Sequence, residues 1–312
     1  METMQAEYLK QNYVMSNTVS CDRTGGEIPA GIFNTDAACE ADDPFAIAHA
    51  LLCKKFEMKA IFAEQFGAPE TTRMSYKEIT TVLEAMGLDV PVFMGEEGKL
   101  ADVEGKEISP AANFLIKEAL TEDDKPLYVL CLGAITNVAS AIRECPEITK
   151  RMTVVWIGGQ NFDSPNPNFR EFNSGNDIQA ANYVVDSGVE LWLIPVNVYG
   201  TMHIGLAEIQ RRIAPCGKIG KHLFENMITY NMSEYAGWTA GESWSLGDSP
   251  AVGVALDQNC GQYVYREAPV FLEDTTYRFE EGRPKIRVYT SINSRFILED
   301  FIAKLELVYG EK

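Results

Sequence analysis

The chain has 312 residues, with 45 Asp and Glu against 27 Lys and Arg, and a formal net charge of −18. That balance argues against a nucleic-acid-binding surface, which needs a basic face to displace counterions from phosphates, and against docking on an anionic membrane. No stretch approaches the ~20 apolar residues of a membrane span. Seven scattered cysteines without a Cys-x-x-Cys pair suit reduced, buried thiols better than a disulfide frame or a zinc site. Residues 1–24 carry no apolar core of a signal peptide. A cytoplasmic protein is expected.

Along the chain, short apolar runs alternate with amphipathic stretches. Residues 31–33 read as a strand ending in Asn34-Thr35-Asp36. Residues 44–55 follow as a helix, with Phe45, Ile47, Ala48, Leu51 and Leu52 as its apolar stripe. Strands are predicted over 59–63 and 90–94, with a helix between them over 71–86 that Gly87 stops. A helix over 109–120 has Pro110 in its first turn, a position where the missing N–H costs nothing. A strand over 127–132 leads to a helix over 137–144, and a strand over 153–157 ends in Gly158-Gly159. Asp177 caps a helix to Asp186, and a strand follows over 190–196. Beyond residue 200 the pattern predicts helix over 207–232, short strands and turns over 262–289, and a closing helix over 294–307. The alternation predicts an α/β fold: a single-domain, mostly parallel doubly wound sheet with helices on both faces. Residues 1–25 are expected to form an N-terminal arm and 26–312 the domain.

In an open α/β sheet, ligands sit outside the carboxyl ends of the strands. After the first strand come Asn34, Asp36, Glu40, Asp42 and Asp43; after the fourth, Gly133 and Thr136-Asn137. After the fifth come a Pro/Asn-rich loop and Glu171-Phe172-Asn173; after the sixth, Asn197 and Tyr199. Carboxylates this close raise one another's pKa unless a cation joins them. Oxygen donors without nearby His or Cys point to calcium or magnesium. Helix capping by Asp42-Asp43 is the plainer explanation for those two residues, but it leaves Asp36 unexplained.

The run Asn34-Thr35-Asp36 to Glu40-Ala41-Asp42-Asp43-Pro44 resembles the aspartate cluster of the inosine–uridine-preferring nucleoside hydrolase family, with two extra residues before the Asp pair. Further blocks resemble that family in order: Leu132-Gly133 to Thr136-Asn137, Trp156 to Gly159, Glu171-Phe172-Asn173, and Gly247-Asp248-Ser249-Pro250. The resemblance implies a Ca²⁺-dependent hydrolase that cleaves the N-glycosidic bond of a ribonucleoside to ribose and free base. It implies a metal site of Asp36, Asp43, Asp248 and the Thr136 carbonyl. It implies ribose contacts from Asp42, Glu171, Asn173, Asp248 and an amide of the 165–168 loop, Asn168 or Asn166. Water held at the metal would attack the anomeric carbon with Asp36 as general base. A homo-oligomer, dimer or tetramer, is also implied.

Three positions depart from the family pattern. Asn34 stands where many members carry Asp, Ala38 replaces a glycine, and Gly247 stands where relatives place the His or Trp that helps the base depart. Candidates for that role are His203, Trp244 and Tyr235, with Tyr230 and Trp238 nearby; Glu64 and Gln65 are candidates near the ribose. His49, His222 and Cys39 are expected to be packing residues. The missing side chain at 247 leaves two other readings open. One is a non-catalytic ribosyl-binding or scaffold protein. The other is a hydrolase of nicotinamide riboside, whose cationic base leaves without an acid. A phosphatase with an Asp nucleophile is disfavoured, because its nucleophile position is Asn34.

Overall fold

Strand β1 (Ala30–Thr35) places alternate side chains on opposite faces, so Ile32 enters one core and Phe33 the other. The same split recurs at Val129/Leu130 and Val154/Val155, which is why these strands read as unbroken apolar runs. The structure is a computed structural model describing residues 29–55, 57–122, 125–237, 239 and 241–310; the expected arm over 1–25 and Trp238 lie outside them.

In chain order, β1 is followed by α1 (Asp43–Leu52), β2 (Glu57–Ala63), α2 (Thr71–Met86), β3 (Val92–Met94), α3 (Pro110–Ala119), β4 (Leu127–Cys131) and α4 (Thr136–Glu144). Next come β5 (Met152–Ile157), the short α5 (Phe172–Asn176), α6 (Ile178–Asp186), β6 (Glu190–Ile194), the one-turn α7 (Val196–Tyr199) and β7 (His203–Gly205). The remainder is α8 (Gly217–Asn231), β8 (Ser243–Ser245), α9 (Ser249–Leu256), β9 (Gly261–Glu267), β10 (Val270–Phe271), β11 (Tyr277–Arg278), β12 (Lys285–Ile292) and α10 (Ser294–Tyr309).

The main sheet has eight strands in the order β3-β2-β1-β4-β5-β6-β12-β9, all parallel except the edge strand β9. Helices α1, α2, α8, α9 and α10 cover the Phe33 face, and α3, α4 and α6 cover the other. The expected doubly wound α/β domain is therefore present. Local signals act as read: Gly87 ends α2 with φ 69°, and Asp177 accepts the Ala180 N–H. Ser109 caps α3 by accepting the Ala112 N–H.

Two late expectations needed revision. The helix over 207–232 is broken, since Pro215 supplies no N–H and Gly217 takes φ 62° at the start of α8. The stretch over 262–289 contains most of two full strands, β9 and β12, which complete the main sheet. As an edge strand, β9 exposes Tyr263, Val264 and Tyr265, so it lacks the apolar pattern of a buried strand.

Phe301 on α10 is buried and packs its ring against Phe45 and His49 of α1, with centroids 6.0 and 5.6 Å away. Phe301→Ala is expected to lower stability by about 3–5 kcal/mol, read as a shift of the urea midpoint at unchanged slope. A loss below about 1 kcal/mol would mean that the site collapses onto the cavity or is not part of the cooperative core.

Candidate active site

Strand β1 lies between β2 and β4, and Asn34 pairs with Phe62 on one side and Cys131 on the other. Chain connections depart in opposite directions there, which opens a crevice at the carboxyl ends of the strands. A cavity of about 510 Å³ occupies it. Asp36, Glu40, Asp42 and Asp43 line it from the β1–α1 turn, and Gly247 and Asp248 from the start of α9. Leu132, Asn173, Tyr199 and His203 complete its walls, with Phe169, Arg170 and Phe172 also lining it.

Carboxylate oxygens of Asp42, Asp43 and Asp248 all lie within 4.8 Å of one another. Burial pushes Asp43 and Asp248 well above the usual carboxylate range, and charge from the neighbouring aspartates adds to it. Asp36 is pushed up by burial and then by Glu64, Asp42 and Glu40. The Thr35 hydroxyl donates to Asp43. Asp42 sits at the N-cap position of α1 without capping it through its side chain; it instead accepts main-chain N–H groups that include those of Gly247 and Asp248. The capping explanation therefore does not account for Asp42. Arg170 is the only Lys or Arg among the described lining residues, and its guanidinium donates to the carbonyls of Glu273 and Gly175. A hard divalent cation fits such an oxygen-only, anionic donor set.

A buried polar layer supports the cluster. Asn34 donates to Glu64 at 2.9 Å and accepts from Asn137 Nδ2 at 2.8 Å, while Asn137 Oδ1 accepts the Glu96 N–H at 2.8 Å. Asn34 thus sits against the carboxylate of Glu64, just past the end of β2, which burial pushes up to about 8. Gly133 presses on Asp36, and a Cβ there would overlap the Asp36 carboxylate.

Several expected residues sit elsewhere. Thr136 does not line the cavity: its hydroxyl donates to Asp177 at 2.8 Å and accepts from Gln65 Nε2 at 3.2 Å. The residue of that turn that does line it is Leu132, whose carbonyl accepts from Asn173 Nδ2 at 2.7 Å. Its place directly after β4 was the signal available in sequence. Asn168 is exposed with its N–H on Asn166 Oδ1, and Phe169 and Arg170 take the cavity wall instead. Trp244 is buried against Tyr230, with ring centroids 5.4 Å apart, because side chains alternate along β8 and it is Ser245 that faces the cavity. Tyr235 is 71% exposed and does not line the cavity either. His203, paired with Ser245 across β7–β8, does. His49 bonds Asp300 at 2.8 Å and His222 bonds Glu78 at 2.6 Å, both away from the cavity. Cys39 lines the cavity, but burial and the surrounding carboxylates push its thiol up, which removes it as a nucleophile.

Glu171 is fully buried behind Asn173 and Tyr199. It accepts the N–H groups of Gly159, Asn173 and Ser174 and the hydroxyls of Ser174 and Tyr199. Asn173 Nδ2 is committed to the carbonyls of Leu132 and Ile157. Tyr199 was visible in sequence only as a residue after β6. Burial and the Glu171 carboxylate push its phenol well above the usual range, so it stays protonated.

The sequence model of the inosine-uridine preferring nucleoside hydrolases matches residues 32–299. The chain is similar to the pyrimidine-specific ribonucleoside hydrolase RihA of Salmonella typhimurium, 28% identical over 223 residues, 63% of this chain and 71% of RihA. It is also similar to the non-specific ribonucleoside hydrolase RihC of Escherichia coli O127:H6, 26% identical over 182 residues, 50% of this chain and 58% of RihC. Among solved structures, a plant nucleoside hydrolase, PpNRh1, superposes with a TM-score of 0.74 at 18% identity, covering 91% of this chain and all of that one.

The raised carboxylates make a pH prediction. Asp42 is pushed up to about 6 from 3.8, and Glu40 to about 8 from 4.5, by burial first. Across that window the folded chain holds protons that the unfolded chain has released, so cation-free stability falls as pH rises from about 4 to about 8. A cation in the cluster offsets the repulsion. Added Ca²⁺ is expected to raise the unfolding temperature more at pH 8 than at pH 5, in melts run against chelator; equal shifts would contradict cation binding by these groups.

Proposed function

The chain belongs to the inosine-uridine preferring nucleoside hydrolase family, and from that premise we propose that it is a Ca²⁺-dependent hydrolase of ribonucleosides, releasing ribose and free base. The observation that carries this reading is the convergence of Asp36, Asp42, Asp43 and Asp248 on one cavity at the sheet's switch point. Asp36, Asp43, Asp248 and a main-chain carbonyl, with Leu132 replacing Thr136 as the candidate, would hold the cation. Bound there, Ca²⁺ supplies a positioned water of lowered pKa.

The protein's own groups do the rest. Asp36 accepts the proton of the attacking water as general base. Asp42, Asp248 and Asn173 hold sugar hydroxyls and aim the anomeric carbon at that water. Breaking an N-glycosidic bond builds positive charge on the sugar, as in glycoside hydrolysis, and the surrounding carboxylates favour that charge over the neutral ground state. His203 lines the cavity as a candidate contact for the leaving base. Cytoplasmic action fits the six free thiols among the described residues. A dimer or tetramer is part of the same reading, supported by the apolar side chains exposed along β9.

One observation favours a second reading. Gly247 offers no side chain beside Asp248 to activate a leaving base, which fits a ribosyl-binding protein without turnover, or a substrate whose base leaves unaided, such as nicotinamide riboside. The test is reducing-sugar release from a ribonucleoside panel that includes nicotinamide riboside, with Ca²⁺ and with chelator. Ca²⁺-dependent release is expected, falling by about 10²–10⁴-fold in Asp36→Ala through loss of the base. Binding without release by the Ca²⁺-loaded protein would move the assignment to the second reading.

A further inference from the structure

We propose that Tyr199, rather than Glu171, is the group that meets a sugar hydroxyl on this wall of the cavity, accepting a hydrogen bond from the sugar while its own O–H stays on Glu171. This rests on the reading of the cavity as a ribosyl site. Three observations carry it.

First, Tyr199 lines the cavity and Glu171 does not. The carboxylate is fully buried, and its two oxygens already take five hydrogen bonds. Second, the Tyr199 hydroxyl donates to Glu171 Oε1 at 2.9 Å. A phenol has one hydrogen to give and lone pairs to accept with, so this orientation leaves the oxygen as an acceptor. An acceptor behind the phenol polarises it and strengthens the bond it receives. Third, the ring stands close against Gly247. A Cβ on Gly247 would lie 3.1 Å from Tyr199 Cδ2 and 3.7 Å from Cε2. A larger side chain at 247 and the present Tyr199 ring would compete for the same space. Gly247 and Tyr199 therefore act as a pair: the glycine clears the space, and the tyrosine carries the Glu171 contact forward to the cavity surface.

The test titrates the Ca²⁺-loaded wild type and Tyr199→Phe with ribose and with its 2-, 3- and 5-deoxy analogues by calorimetry. Tyr199→Phe keeps the ring and its packing. The dissociation constant for ribose is expected to rise about tenfold. One deoxy analogue, the one lacking the hydroxyl that Tyr199 meets, should bind both proteins equally. An unchanged ribose affinity would overturn the proposal. So would the same fold-loss for all four sugars, which would mean that the hydroxyl only holds Glu171 in place. Sugar release from ribonucleosides, measured on the same wild-type sample, separates this claim from the hydrolase reading. A protein that binds ribose through Tyr199 but turns over no nucleoside loses the enzyme assignment and keeps the contact.

Discussion

Mutual repulsion among carboxylates buried at one point is the constraint around which the rest of this molecule is arranged. Asp42, Asp43 and Asp248 come from two segments far apart in sequence, and Asp36 stands beside them. Taking such groups out of water disfavours their charged forms, and each raises the pKa of the next. The protein offers partial relief: main-chain N–H groups at the starts of α1 and α9 point at Asp42, and Thr35 donates to Asp43. It offers no side-chain cation, since the cavity's arginine is turned onto carbonyls. An arrangement of this kind favours a positive charge brought in from outside, such as a hard cation.

Holding that arrangement requires a rigid floor, and the Thr136-Asn137 turn supplies it. Asn137 ties the ends of β1 and β2 and the segment after β3 through Asn34, the Ala63 carbonyl and the Glu96 N–H. Thr136 joins Asp177, which in turn accepts the Leu100 N–H. Buried polar groups satisfied this completely specify one geometry and punish alternatives. A turn that resembles part of a ligand site thus works from underneath, while Leu132 and Gly133, a few residues earlier, touch the cavity and Asp36.

The opposite wall is built around a glycine, Gly247, at the start of α9. Gly247 leaves no open space beside Asp248, because the Tyr199 ring of α7 and the Asp42 carboxylate stand close against it. The same phenol donates to Glu171, so one side chain links the start of α9 to the buried carboxylate behind the wall. The candidate donor that remains near the mouth is His203, fixed by the short β7–β8 ribbon.

Local chemistry was enough to reveal the parallel sheet, most helix ends and the acidic turn. Strands buried on both faces must be apolar throughout, glycine at positive φ ends helices, and carboxylates crowded after a strand need a reason to be there. The block order identified the family before any contact was known. Tertiary structure decided what local pattern cannot carry. Strand β9 is an edge strand with exposed aromatics, so its membership of the sheet shows only in its pairing with β12. Trp244 and Ser245 are neighbours in sequence, and the register of β8 against β7 chose which one faces the cavity. Leu132 lines the cavity although its apolar side chain reads as one more core residue. The Tyr199–Gly247–Glu171 contacts join three segments whose proximity exists only once the sheet is assembled, because distances across a fold are set by packing and not by spacing along the chain.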